Sequence, residues 1–413
     1  MQWSLASTIR NAMSDQSQAP LVPRFSGSDY TDDAIQKRRI WIEARCNANL
    51  NLVGESALPA ASLSGNIENP IGAVRMPLGV AGPLHVLGEY AEGVFYVPLA
   101  TTEGALVRSY ERGATLITRC GGAQVRLLHD ENQISPVLRF TSIDEAVTFY
   151  RALGPGGELW EGIRKAAEST TSHGKLLAVE PTMAGREVEL TLRFQTGDAH
   201  GMNMISKAAE AACRWLHEQT AAQGYLIFSG LSSEKRPSGR ALAGTKGKHL
   251  VAGIEVPERS CRLYLHASPG EIRDLWQRTV IGNILANATG YCGHYANGLT
   301  ALFIACGQDV ANIANSAIGL TNFEVTPEGN LYASVTLPSV TVATVGGGVD
   351  LGTSRECLKM LGCHGAGKAR KFAEVVAATI LSGELSFAAA IASGELSSAH
   401  ETYGRNRPKE GQS

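Results

Sequence analysis

The chain has 413 residues, with 37 Lys and Arg against 39 Asp and Glu, a formal net charge of −2, and 44% hydrophobic content. That length exceeds one compact core and points to about two or three domains. The near-neutral charge and ordinary composition exclude a broad electrostatic pull toward nucleic acid or an anionic membrane.

The N-terminal residues Met1 to Arg24 lack the apolar core of a signal peptide, and Glu374 and Glu384 interrupt the best candidate for a membrane span. The eight cysteines include no Cys-x-x-Cys pair, which reads as buried, reduced thiols of a cytoplasmic protein. The ten histidines form no His-Glu-x-x-His pair, so no metal site is expected.

In chain order, residues 1 to 30 read as a polar arm. From Thr31 a helical pattern begins, with Thr31 or Asp32 as cap and Ile35, Ile40, Trp41 and Ile42 as buried positions. Glu68-Asn-Pro-Ile-Gly and Gly79-Val-Ala-Gly-Pro-Leu break regular structure. Val94 to Leu99 reads as a strand, followed by Ala100-Thr-Thr-Glu-Gly opening a helix through Ile117, capped by Thr101 or Thr102. On this pattern alone Glu103 is a first-turn acid answering the helix dipole.

Helical patches at Ile143 to Leu153 and Glu158 to Glu168 precede Glu187 to Phe194, where apolar and polar residues alternate strictly as in a half-buried strand. After Gly197-Asp-Ala-His-Gly-Met-Asn-Met-Ile-Ser, helical spacing takes over at Ile205, Ala208, Ala209, Ala212, Trp215 and Leu216. A glycine-containing turn into a helix offers open N–H groups and a positive dipole end to a phosphate, although an ordinary strand-to-helix loop reads the same way. No Gly-x-Gly-x-x-Gly is present.

Beyond a strand at Tyr225 to Phe228, the polar loop Ser229 to Pro237 carries Lys235, by pattern a solvated lysine. Gly239 and Gly244 have the spacing of a phosphate-binding loop, but Thr245-Lys246 reverses the order such a loop needs. The apolar region Tyr291 to Leu320 is broken by Gly307-Gln-Asp, and a carboxylate there needs a cation, donors or a proton. A strand (Leu331 to Leu337), a glycine triplet (Gly346 to Gly348), a helix capped by Thr353 or Ser354, and a long Ala-rich helix (Lys371 to Ala392) complete the chain before a tail with His400.

These segments, with Gly201-Met-Asn-Met-Ile-Ser-Lys, Ile304-Ala-Cys-Gly-Gln-Asp and Thr344-Val-Gly-Gly-Gly, resemble the 3-hydroxy-3-methylglutaryl-coenzyme A reductase family, in its order, over roughly residues 65 to 405. The eukaryote-like branch is the more similar, without the membrane region of eukaryotic members. The resemblance implies an α+β fold. Residues 1–62 would form an arm and helical region, 63–138 and 229–392 a large substrate-binding domain around a central helix, 139–228 an inserted ferredoxin-like cofactor domain, and 393–413 a mobile tail.

It also implies four-electron reduction of the thioester to mevalonate and coenzyme A with two NADPH, NADH being the lesser alternative. Carried over residue by residue, the catalytic set is Glu103, Lys235, Asp309 and His400. An ammonium at Lys235 would stabilise the oxyanion by roughly 3–4 kcal/mol. Glu103 would protonate the mevaldehyde oxygen, with burial and Asp309 opposing the dipole to keep it protonated. His400 would protonate the departing thiolate, a group of pKa about 8.5.

Cofactor contacts fall on Asp198, Met202, Asn203, Gly346, Gly347, Gly348 and Arg405, with His173 and Lys175 in place of the Ser-Arg that grips the extra phosphate in eukaryotic members. Substrate contacts fall on Arg139, Ser229, His294, Asn297 and, after a one-residue shift, Arg278. Glu234 replaces an Asp of eukaryotic members, the loop before Lys235 is one residue shorter, and Asn406 stands where animal enzymes are phosphorylated. The resemblance further implies a homodimer or a dimer of dimers with sites at the interface. Rival readings are an NADH-linked enzyme oxidising mevalonate, and a binding protein that retains the sites without turnover; the four catalytic residue types argue against the latter.

Overall fold

The computed structural model describes residues 21–395, apart from residues 26, 56–57, 154–156 and 245. The chain forms two compact units, one up to Arg75 and one from Met76 onward.

In the first unit helix α1 (Asp32–Cys46) is capped by Thr31, whose Oγ1 accepts from the Ala34 N–H at 3.2 Å. Its buried face is Ala34, Ile35 and Arg38, and Ile40 is exposed, unlike the expected apolar set. Arg38 takes that place because each of its three guanidinium nitrogens finds an acceptor. Nη1 reaches the Pro70 carbonyl at 2.7 Å, Nη2 pairs with Asp29 at 2.6 Å, and Nε reaches the Pro23 carbonyl.

Among the described residues the second unit has ten strands: β1 (Leu78–Leu87), β2 (Glu92–Ala100), β3 (Ala123–Ile134), β4 (Val137–Arg139), β5 (Lys175–Ala184), β6 (Glu187–Gln195), β7 (Gly224–Leu226), β8 (Gly247–Val256), β9 (Leu320–Val325) and β10 (Leu331–Val340). Its main helices are α2 (Leu106–Arg119), α3 (Ile143–Ala152), α4 (Trp160–Glu168), α5 (Met202–Gln219), α6 (Pro269–Leu285), α7 (Tyr295–Ala305), α8 (Gly352–Met360) and α9 (Ala369–Ala392).

Strand β3 joins two sheet regions. Its first half pairs with β8 and β1, and its last residues, Asn132 to Ile134, pair with β6. Accordingly Ala123 and Val125 belong to one hydrophobic cluster and Ile134 to another. The second cluster, from Ile134 to Ala222, is covered by α3, α4 and α5 on an antiparallel sheet ordered β7-β4-β6-β5. With helices after β4 and after β6, that order is the split βαβ, ferredoxin-like pattern.

Helix α9 runs through the first cluster against β3, β8, β10, α2 and α7. By length and composition it could cross a membrane, but it lies largely buried inside the fold. Its two buried acids are satisfied by backbone N–H groups of segments distant in sequence. Glu374 accepts from the backbone N–H of Glu89, Tyr90 and Ala91, while Glu384 accepts from those of Gly293 and His294.

Candidate active site

The strictly alternating segment forms β6, burying Val188, Leu190, Leu192 and Phe194, and the helical segment forms α5. Between them Gly201, at φ 80°, begins α5 with no side chain capping it, so the first-turn N–H groups are open. The loop is held from β3, where Asn132 Nδ2 donates to the His200 carbonyl at 2.7 Å. Asp198 is engaged elsewhere in the fold. Its carboxylate accepts from the Gly367 and Ala369 N–H groups at 2.7 and 3.0 Å, tying the loop to the start of α9, and its carbonyl accepts from Thr344 N–H.

That last bond brings the glycine triplet to the same place. Gly307 and Gly348 pack backbone to backbone, and a Cβ on Gly307, at φ 65°, would collide with the Gly348 carbonyl. Gln308 strengthens the junction, with its Oε1 accepting from Ala343 N–H at 2.7 Å. The 198–203 loop, the 344–348 loop and the 307–309 turn therefore form one assembly.

Lys235 closes onto it. Its Nζ lies 2.7 Å from Asp309 Oδ2, an ion pair held by a loop in which both Ser233 and Lys235 have positive φ, 53° and 52°. Burial pushes the Asp309 carboxyl up, but the hydrogen bonds from Lys235 and from Ala311 N–H, with the charge of Lys235, outweigh it and hold the carboxyl below the usual aspartate value. Next to Lys235, Glu234 forms an ion pair with buried Lys246, whose Nζ also approaches Met202 Sδ at 3.3 Å. Burial, opposed by Glu234, lowers the Lys246 pKa.

Glu103 is placed differently from the sequence expectation. Helix α2 begins at Leu106, behind Ala105 in the left-handed region, so Glu103 precedes the helix and is exposed; Thr101 Oγ1 accepts from its N–H instead of capping a helix. Its Oε1 accepts from Asn297 Nδ2 at 3.2 Å. Close by in sequence, His294 lies 2.8 Å from Glu384 Oε1 through Nδ1 and stacks on Phe387 at 4.4 Å. Burial pushes the Glu384 carboxyl up, and His294, Thr321 and Gly293 N–H together overcome it and hold it down. Among the described residues no hydrogen bond or ion pair joins this group to Lys235 and Asp309. Asn297 and Asp309 lie toward opposite ends of α7, with about 12 Å of helix between Asn297 and Ala305 alone.

The other expected site residues divide. Ser229 donates to Glu189 at 2.6 Å, and Arg139, at the end of β4, lies 3.8 Å from Glu187, so both flank the polar face of β6. Arg278 is exposed on α6 and, among the described residues, makes no hydrogen bond or ion pair to these groups. His173 and Lys175 are exposed at the entry to β5. Between them, Gly174 lies against the Met204 side chain, which places this loop beside the first turn of α5. Asn203 is exposed on that turn. His400 and Arg405 lie outside the described residues.

The sequence matches the family described as hydroxymethylglutaryl-coenzyme A reductase over residues 34–405. The chain belongs to that family. The 3-hydroxy-3-methylglutaryl-coenzyme A reductase of Methanocaldococcus jannaschii is 43% identical over 376 residues, 89% of this chain and 91% of that one. That of Methanothermobacter thermautotrophicus is 42% identical, covering 91% and 94%. Among solved structures, the reductase of Streptococcus pneumoniae shares the fold at a TM-score of 0.64 and 17% identity, covering 89% of this chain and 99% of that one. A second structure from that organism, a class II reductase bound to NADPH, is similar at 0.63 and 18% identity.

Membership makes the chain a member of an oxidoreductase family. Within a reductase of this family, the polar groups that sequence reading passed over are Glu384, Gln308, Lys246 and His200. A glutamate inside an otherwise apolar helix was the available signal for Glu384. His200 lies within the loop between β6 and α5 itself. Its Nε2 is buried without a hydrogen-bond partner among the described residues. Burial foremost, with Lys246 and Lys235 against Glu234 and Asp309, lowers its pKa to about 4.

Proposed function

We propose that the chain reduces 3-hydroxy-3-methylglutaryl-coenzyme A to mevalonate and coenzyme A with two NADPH. The observation that carries this reading is the Lys235–Asp309 pair, set against the loop that leads to the open end of α5.

The residues fit a nicotinamide dinucleotide. An uncapped helix N-terminus suits its phosphates, and the backbone at Gly346 and Gly347 has open space above it. His173 and Lys175 beside the first turn of α5 suit the additional phosphate of NADPH. When bound, the cofactor supplies hydride.

The chain's own groups do the rest. The Lys235 ammonium, oriented by Asp309, stabilises negative charge on the carbonyl oxygen, an effect of roughly 3–4 kcal/mol for one such group. Glu103, positioned by Asn297, delivers the proton to the aldehyde oxygen. His400 protonates the thiolate of coenzyme A and blocks its return to the aldehyde. Arg139, Ser229, His294, Asn297 and Arg278 hold the hydroxymethylglutaryl end. Asp198, Met202, Asn203 and Arg405 serve the cofactor, Asp198 by fixing the loop.

The working unit is a homodimer or a dimer of dimers. In one protomer the Glu103–Asn297 pair and the Lys235–Asp309 pair lie toward opposite ends of α7, and a second copy can bring one to the other. Exposed Leu78, Val80, Val94 and Tyr96 on the β1–β2 hairpin offer apolar surface for such an association. Residues 139–228 act as the inserted cofactor domain, 63–138 and 229–392 as the substrate domain, and 393–413 as the tail that brings His400. Eight free cysteines, five of them buried, suit a reducing cytoplasm. Initial rates with NADPH and NADH test the reading; a strong NADH preference with faster mevalonate oxidation would overturn both cofactor and direction.

A further inference from the structure

His200 stands out among the polar groups that the proposed reaction leaves unused. It belongs to the loop between Asp198 and Met202, within electrostatic reach of Glu234, Lys246, Asp309 and Lys235. The loop backbone is fixed at this residue from β3, where Asn132 Nδ2 donates to the His200 carbonyl. Yet Nε2 is closed off from solvent with no hydrogen-bond partner among the described residues. Buried polar atoms are ordinarily paired, and one left without a partner is a place where a ligand atom gains more than it would in water.

We propose that His200 determines cofactor specificity, its Nε2 accepting a hydrogen bond from the carboxamide NH2 of the bound nicotinamide ring. The inference rests on the functional reading above. A ligand portion lying between the loop of Asp198, Met202 and Asn203 and the ammonium of Lys235 is the hydride-bearing ring. The polar substituent of that ring is its carboxamide, which carries both donors and an acceptor.

The thioester carbonyl is a poorer candidate, since it only accepts and Lys235 already serves it. The neutral ring with its proton on Nδ1 leaves a lone pair at Nε2, and in that form the nitrogen accepts. With a pKa of about 4, the ring is neutral at pH 7, roughly one molecule in a thousand carrying the proton. His200 is therefore unsuited to the proton-donating role assigned to His400.

The test compares reduced NADP with its reduced 3-acetylpyridine analogue, in which a methyl group replaces the NH2, on wild-type protein and on His200→Ala and His200→Gln. In the wild type the analogue loses kcat/KM relative to NADPH. In His200→Ala that preference shrinks about fivefold, the value of one neutral hydrogen bond. The KM for NADPH rises while the KM for hydroxymethylglutaryl-coenzyme A stays within about twofold of wild type. His200→Gln, whose amide oxygen can accept the same bond, keeps part of the preference and guards against a folding defect in the alanine variant.

An equal preference for NADPH over the analogue in wild type and in both variants would overturn the inference while leaving the reductase reading intact. Failure of the wild type to oxidise NADPH with hydroxymethylglutaryl-coenzyme A would overturn the reading itself, and the inference with it.

Discussion

Lys235 Nζ and Asp309 Oδ2 lie 2.7 Å apart, joining a loop in left-handed conformation to the turn that follows α7. Both groups are partly solvated, so the pair contributes little to stability. Its value is in aiming a fixed positive charge. Lys235→Ala is expected to lower the reduction of both hydroxymethylglutaryl-coenzyme A and mevaldehyde by about two to three orders of magnitude. Because the Asp309 carboxyl is held below its usual value, the pair persists at neutral pH and is lost only in acid below the ordinary aspartate range. Steady-state rates with each substrate in turn check this; loss with one substrate alone would contradict a shared oxyanion role.

In the proposed dimer a second copy brings Glu103 of one protomer to Lys235 of the other. Glu103→Gln and Lys235→Ala proteins, each inactive alone, are then expected to regain activity when co-expressed. Random pairing makes half of the dimers mixed, and each mixed dimer has one intact site, so recovery approaches about a quarter of wild type. No recovery, with mixed dimers demonstrated by differential tagging, would place the whole site within one protomer.

Glu384 receives Gly293 N–H, His294 N–H, the His294 ring and the Thr321 hydroxyl while wholly buried. Glu384→Ala strands all four and is expected to cost about 3–5 kcal/mol, as in the breaking of other buried charged pairs. The thermal midpoint should drop accordingly, and the KM for hydroxymethylglutaryl-coenzyme A should rise, because His294 and Asn297 share the first turn region of α7. An unchanged midpoint would show that the network is dispensable.

His200 gives a pH signature. Its folded pKa, about 4, is below the unfolded value of about 6.5. The unfolded chain therefore binds more protons between those values, and the stability due to the neutral ring is complete above about pH 6.5 and lost as the pH falls toward 4. His200→Met should remove a component on the order of 2–3 kcal/mol from the acid destabilisation over that window. Urea midpoints at pH 7.5 and 5 for both proteins measure it, and equal shifts would contradict the assignment.

What could be read in advance followed sequence periodicity. The alternation from Glu187 to Phe194 and the helical spacing from Ile205 to Leu216 reappear as β6 and α5, because both patterns record which face is buried. The start of α2 was misplaced: Thr101 caps a turn rather than the helix, and a left-handed residue at Ala105 delays the helix to Leu106, a choice that propensity does not encode.

Partnerships between distant segments were less legible still. Lys235 and Asp309 were both named, but their pairing was not, and Asp309 had been expected beside Glu103. Asp198 holds backbone groups at 367 and 369, and Glu384 holds a loop 91 residues away. Such contacts depend on how the strands and α9 assemble, which no local pattern specifies.

The most direct test of the proposed function is the ratio of cofactor oxidised to thioester consumed. With limiting hydroxymethylglutaryl-coenzyme A and excess NADPH, two molecules of NADPH should be oxidised per thioester, with equal amounts of mevalonate and free coenzyme A released. A ratio of one with an aldehyde as product, or release of coenzyme A without NADPH oxidation, would contradict it.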